Sequence, residues 1–442
     1  MGLFIQILTF ILIISILVVL HELGHFLPAK YFKTKVEKFY LFFNPWFSIF
    51  KKKIGETEYG IGWLPFGGYV KIAGMIDESM DKEQMKLPPK PWEFRSKPAW
   101  QRLIIMLGGI IVNVILAWVI YAFLLGTYGD SYIPVNGDNY DISFTKEAEQ
   151  LGFKTGDKII AIDGEKPERL STQIYPGKVS NDLMLDFILG DQITIERDGK
   201  EETLPITDEA IKKVFKGVNY SFFDIDAEPF VNVSKESNAY KQGLRSGDKI
   251  ISLNNQKISK FKDISKALEN KSNDTLNISF ERNNQIQNKI ITLKDGKIGV
   301  SRDVQRYIVT DKYGFLSSIP AGFKQTFKTL DRHVKQFKVI FKPKTEAYKQ
   351  LKGPIGITKI MPKAWDWGFF WNFLAMFSIW LAFVNILPIP ALDGGHAMFL
   401  IYEIISGRPP SEKVLERGQL VGFVIVMTIM VLVIGNDIWN LF

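Results

Sequence analysis

Residues 3–20 carry no charged side chain, and this apolar run leads directly into His21-Glu22-Leu23-Gly24-His25, after which apolar character resumes over 26–29. A stretch of that length spans a bilayer as a helix. On a helix, residues four apart share a face, so His21 and His25 can bind one metal ion while Glu22 sits beside them. The spacing is that of a zinc-hydrolase helix in which the glutamate is the general base. Two satisfied core histidines are the bland alternative, disfavoured because the whole chain of 442 residues holds only four histidines. An ionisable group at membrane depth costs at least a few kcal/mol unless it faces protein or a water-filled cavity, which marks His21, Glu22 and His25 as functional. A secretory signal would need a basic start and a small-residue cleavage site; this run shows neither.

Further uncharged spans occupy 103–125, 367–392 and 419–435, and a polar stretch of globular character covers roughly 130–320. The hydrophobic content of 46% therefore divides between membrane and extramembrane parts. The chain reads as a polytopic α-helical membrane protein with four transmembrane helices, a membrane-associated β-hairpin and two inserted α+β domains. Its expected divisions are 1–29, 30–102, 103–125, 127–215, 220–308, 320–366, 367–393, 394–418 and 419–437. Between Lys30 and Arg102 lie twelve further Lys and Arg residues, from Lys33 to Lys97, which the positive-inside rule places in the cytoplasm. Both termini and the insert are then expected outside it, in the periplasm or an equivalent extracytoplasmic space, because long domains translocate regardless of charge. The net charge of +8 comes from this loop and a Lys-rich insert, without the aromatic-interleaved basic patch that nucleic acid would call for. No cysteine is present, so metal binding falls to His, Asp and Glu.

A catalytic zinc usually has three protein ligands, and the best third one is Asp393, in Asn385-Ile-Leu-Pro-Ile-Pro-Ala-Leu-Asp393-Gly394-Gly395-His396. Pro388 and Pro390 must break the helix there, freeing backbone groups that lipid does not tolerate unless protein or water satisfies them. With the N-terminus outside, the first and third spans both end on the cytoplasmic side, so His25 and Asp393 can meet. His396 is the alternative ligand, though in this turn it reads better as a support. His333, in a Lys-rich amphipathic stretch, reads as solvated or interfacial. Asn385 could donate to the substrate backbone or a developing oxyanion, or satisfy carbonyls freed by the prolines. Asn113, in Gly108-Gly109-Ile-Ile-Val-Asn113, reads as helix packing through small residues.

Residues 58–74 alternate strand formers with glycines, a hairpin signal. A protease that cuts within a membrane helix must hold it extended, and a strand edge replaces the lost backbone bonds. Gly67, Gly68, Tyr69, Val70 and Lys71 are the candidate edge; an ordinary interfacial loop is the alternative. Within the insert, 151–163 (Leu-Gly-Phe-Lys-Thr-Gly-Asp-Lys-Ile-Ile-Ala-Ile-Asp) and 242–254 (Gln-Gly-Leu-Arg-Ser-Gly-Asp-Lys-Ile-Ile-Ser-Leu-Asn) match at one offset, indicating two copies of one module. Each resembles a PDZ domain, which captures extended chain on a strand edge; a stabilising cap is the other reading.

The pairing of HELGH in the first span with NxxPxPxLDGG in the third resembles the site-2 protease family of intramembrane zinc metalloproteases, in its bacterial branch regulating the sigma factor sigma E. The resemblance covers nearly the whole chain. It implies that His21, His25 and Asp393 hold one Zn²⁺, that Glu22 activates water, and that the Gly-Tyr-Val-Lys stretch belongs to a membrane-reentrant β-loop contacting substrate. It implies tandem PDZ domains that admit only membrane proteins already trimmed outside, and a family segment at Gly353-Pro354-Ile355-Gly356. Expected substrates are transmembrane proteins, anti-sigma factors and signal-peptide remnants, in the bacterial inner membrane among its lipids. A non-proteolytic scaffold with a structural metal is the rival from another class; a transporter would require inverted repeats, and none is seen.

Overall fold

Four helices are long and apolar enough to cross a membrane, as the hydropathy predicts. The computed structural model describes residues 1–442 except 66, 76–87, 136, 138–139, 176–177, 181, 217–221, 270–273, 295 and 440–442. Lys82 and Lys86 of the basic segment, and Phe66 of the 58–74 stretch, therefore lie outside the described residues. The chain forms two units: Met1–Gly129 with Lys312–Phe341 and Ala347–Phe442, and Asp130–Asp311 with Lys342–Glu346.

The helices of the first unit are α1 (Gly2–Tyr31), α2 (Ala99–Tyr128), α3 (Phe315–Ile340), α4 (Pro354–Ile360), α5 (Trp367–Ile386), α6 (Asp393–Ser406) and α7 (Glu412–Trp439). α1 and α2 approach most closely at Gly24, Gly108 and Gly109, where a Cβ on either Gly24 or Gly108 would run into the other's backbone. Pro28 has no N–H, so the Gly24 carbonyl lacks its usual helical partner, and this oxygen is the one that lies against Gly108. Small residues at membrane helix contacts let backbones come together where lipid offers no hydrophobic drive. The division 394–418 holds most of helix α6, closed by Gly407 at φ +69°, and the start of α7. The two glycines after Asp393 pack its first turn against backbone at Ile386 and Pro390, which lets the helix restart at once. α3 begins at Phe315, earlier than the expected 320, since its N-terminal turns pack on α2 through Ser318 at Gly126 and Gly322 at Ala122. Packing of α3 on α5 corrects His333, which is buried on α3 with its ring nitrogens 3.3 Å from Gln336 Oε1 and the Met376 carbonyl.

Between α1 and α2 the chain forms β1 (Val36–Leu41), β2 (Phe43–Ile54), β3 (Thr57–Leu64) and β4 (Tyr69–Ile72), in the sheet order β2-β3-β1-β4. This corrects the expected 58–74 hairpin: β3 and β4 are strands but not partners. β3 turns back on β2 at Gly55, φ +62°, while β1 inserts between β3 and β4, parallel to β3 and antiparallel to β4. Gly60 and Gly62, read as turn signals, are close-approach positions, because a Cβ at Gly60 would strike the Tyr40 ring and one at Gly62 the Phe43 carbonyl.

The second unit has strands β5 (Asp130–Pro134), β6 (Tyr140–Phe144), β7 (Lys158–Ile162), β8 (Arg169–Tyr175), β9 (Lys178–Ser180), β10 (Gln192–Arg197), β11 (Lys200–Pro205), β12 (Phe223–Ala227), β13 (Val231–Asn232), β14 (Lys249–Leu253), β15 (Gln256–Lys257), β16 (Thr275–Arg282), β17 (Gln285–Thr292), β18 (Ser301–Arg302) and β19 (Val309–Asp311). Two separate apolar cores fill it, one around Phe153, Phe187 and Phe223, the other around Leu244, Ile278 and Phe280. The first core reaches past the expected limit of 215, because β12 closes it by antiparallel pairing with β6 and Tyr307 packs into it. The same polar network recurs in both. Asp157 accepts from Lys154 N (2.7 Å) and takes two bonds from Arg197, whose third bond goes to Gly152 O. Asp248 accepts from Arg245 N (2.8 Å) and takes two bonds from Arg282, whose third goes to Gly243 O. Burial pushes the Asp157 carboxyl up, but Arg197 and the Lys154 N–H outweigh it and hold the carboxyl below its ordinary value of 3.8.

Candidate active site

His21 and His25 face the same side of α1, both buried, with ring centroids 4.9 Å apart. Opposite them, α5 ends at Ile386, the chain runs irregularly through Pro388 and Pro390, and α6 starts at Asp393. A carboxylate in the first turn of a helix is favoured by the helix dipole. This restart brings Asp393 Oδ2 to 3.4 Å from His21 Nε2 and 3.3 Å from His25 Nε2, and the two Nε2 atoms are 3.3 Å from each other.

These three atoms form the cluster of metal-ligand type among the described residues; His396 is not part of it. Ligands about 2.0–2.1 Å from a tetrahedral ion stand about 3.3–3.4 Å from one another, so the triangle has the size such an ion imposes. Asp393 Oδ2 is buried and has no hydrogen-bond partner, although both imidazoles are near. An orphaned buried carboxylate oxygen is expensive, and a cation between the three atoms relieves it. Gly109 completes the space: a Cβ there would lie 2.5 Å from His25 Nε2 and 2.6 Å from His21 Cε1. The donor set therefore fits zinc, with three protein ligands and one position open.

His25 Nδ1 lies 2.9 Å from the Ile105 carbonyl of α2, which holds the ring with Nε2 directed at the cluster. Glu22 is half-buried on α1 between the histidines and outside the donor cluster. Asn385, in the last turn of α5, brings its amide nitrogen to 3.5 Å from His21 Nε2, at the rim of the same space. Gly68 lies against the Val18 side chain. Val18, His21 and His25 share one face of α1, so β4 starts beside the site. Tyr69, Val70 and Lys71 lie in β4, paired through Tyr40, Phe39 and Lys38 of β1, and Tyr69 donates to Asn44 Oδ1 (2.9 Å). The outer edge of β4 has no strand partner in the sheet among the described residues. Asn113, read from the sequence as helix packing, brings its side chain to 3.2 Å from His21 Nδ1. Its spacing of eight from Ile105 on α2 was the available signal.

A family model, Peptidase family M50, matches residues 9–429. The chain belongs to peptidase family M50. It is 29% identical to a protein of Vibrio cholerae named as a zinc metalloprotease, over 98% of each chain. It is 29% identical to the regulator of sigma E protease of Haemophilus influenzae over 98% of each chain, and 28% identical to the regulator of sigma-E protease RseP of Escherichia coli over 97% of each. As an M50 peptidase of the site-2 type it is a zinc metalloprotease, and its four membrane-length helices make it a polytopic membrane protein.

Proposed function

We propose that this M50 peptidase cleaves peptide bonds within the transmembrane segments of single-span proteins, using His21, His25 and Asp393 as zinc ligands and Glu22 as general base and acid. The observation that carries the assignment is the triangle of His21 Nε2, His25 Nε2 and Asp393 Oδ2, with sides of 3.3–3.4 Å around an oxygen that lacks any other partner. Zinc bound there supplies a Lewis acid that polarises the scissile carbonyl and acidifies water. Glu22 takes the proton of the attacking water and delivers it to the leaving amine. The Asn385 amide donates to the carbonyl oxygen as charge develops on it.

A substrate helix hides its peptide bonds in its own hydrogen bonds, so cleavage requires an extended segment. The outer edge of β4, with Gly67, Gly68, Tyr69, Val70 and Lys71, pairs with that segment and replaces the bonds lost on unwinding. The two modules of the second unit are PDZ-like domains that admit substrates whose outer part has been removed. By analogy with the relatives named as regulators of sigma E, the substrates include anti-sigma factors, and signal-peptide remnants have the same single-span chemistry. Both termini and the modules lie outside the cytoplasm in this reading, on the strength of the basic 30–102 segment.

Cleavage of a membrane-span reporter lacking its outer domain, by wild type and Glu22→Gln in detergent with zinc content measured on the same samples, tests this. Cleavage by wild type alone, with equal zinc in both, is expected. Zinc loss in Glu22→Gln would move Glu22 from proton transfer to metal support.

A further inference from the structure

His21 has a partner that the proposed chemistry does not use. Asn113, fully buried on α2, places its side-chain amide 3.2 Å from His21 Nδ1, while its Oδ1 is buried without a hydrogen-bond partner. The backbone on which it stands is fixed, since the Asn113 carbonyl accepts from Ser378 Oγ of α5 at 2.8 Å.

The metal-facing nitrogen of His21 is Nε2, because that atom points at Asp393 and at His25 Nε2. A neutral imidazole carries one proton, so a ring that ligates through Nε2 carries it on Nδ1 and needs an acceptor there. His25 has one in the Ile105 carbonyl. His21 faces an amide whose two ends differ: the NH₂ end would confront N–H with N–H, whereas a half-turn about Cβ–Cγ presents Oδ1 and gives that oxygen the donor it lacks.

We infer that Asn113 is the positioning residue for His21: its Oδ1 accepts the Nδ1–H and fixes the ring in the tautomer that ligates through Nε2. One helix, α2, then orients both imidazoles, through Ile105 and Asn113. Partners of this kind change metal affinity roughly 10–100-fold when removed. The inference rests on the zinc assignment made above.

The test uses the full chain in detergent, with Zn²⁺ itself as the probe, titrated against a graded chelator, and with thermal unfolding of each metal-stripped variant as the check on folding. Asn113→Leu keeps the γ-branched shape, with larger methyl ends, and removes the acceptor; Asn113→Asp keeps the acceptor and removes the donor. Asn113→Leu is expected to hold zinc about 10–100-fold more weakly, and Asn113→Asp to stay within a few-fold of wild type. Unchanged affinity in Asn113→Leu, or an equal loss in both variants, overturns the inference, since the first makes the acceptor irrelevant and the second leaves only shape or donation. If Asn113→Leu does not fold, Asn113→Ala takes its place, and a loss in Asn113→Asp alone still decides against it. A wild type that retains no zinc removes the parent assignment, a different result from either.

Discussion

α2 and α7 are both apolar enough to cross a membrane, yet 44% of the most apolar window of α2 is buried inside the protein against 6% for α7. The difference lies in which residues line one face. On α2 the inward line runs through Ile105, Gly108, Gly109 and Asn113, at helical spacing, and these touch His21, Gly24 and His25. On α7 the buried positions are Gln419, Gly422 and Asp437. The eighteen residues between Gln419 and Asp437 (437 − 419) are five helical turns, so they share a face. Gly422 meets Ala391 and Pro390 beside the Asp393 turn, and Asp437 accepts from Gly353 N and Gly356 N, both at 2.9 Å, capping α4. Glycine and polar positions thus mark the inward face of both helices, on α2 alongside apolar ones such as Ile110 and Ile120, because lipid competes equally for apolar side chains and their burial alone does not choose a face.

If that comparison holds, changes on the α2 line act on the metal and changes on α7 act on stability. Gly109→Ala should have the largest effect. Its Cβ falls against both metal-facing rings, so zinc content should drop and cleavage of the reporter should fall by at least about 100-fold. Retained zinc and activity would break the claim that α2 forms a wall of the site. Asp437→Ala comes next: it leaves one buried and one half-buried N–H group unpaired and should lower stability by about 1–3 kcal/mol, read as a lower unfolding temperature in detergent, while zinc affinity stays as in wild type. A loss of zinc there would mean that α7 shapes the metal site after all. Val431→Leu, on the exposed side of α7, should change stability by less than about 0.5 kcal/mol; a larger loss would show a partner for that face.

Much of the donor cluster of His21, His25 and Asp393 was legible in the chain. HELGH and LDGG carry their chemistry in local spacing, and the broken helix between Asn385 and Asp393 follows from two prolines that cannot donate. The sheet before α2 was less legible, since Gly60 and Gly62 look alike whether they turn a chain or admit a neighbouring ring. Tyr40 and Phe43, each about twenty residues away, decide between these. Arg197 and Arg282 were less legible although Ile-x-x-Glu-Arg occurs in both halves of the insert, because the Asp of the Gly-Asp turn that each answers lies 40 and 34 residues upstream. His333 misled for the opposite reason: lysines around it give its stretch an amphipathic look, while its own face packs on α5.

Local spacing along the chain was enough for the groups that do local work: a helix presenting His21 and His25 together, a carboxylate at a helix start, four apolar spans, two acid turns in tandem. Each depends on residues a few positions apart, where backbone geometry alone sets the arrangement. The tertiary structure alone decided which strand borders the site, which face of each apolar helix turns inward, and which atom steadies His21. Those choices rest on contacts between residues tens to hundreds of positions apart, such as Gly24 with Gly108 and His21 with Asn113 and Asp393, and no local pattern encodes the partner of a glycine or an amide.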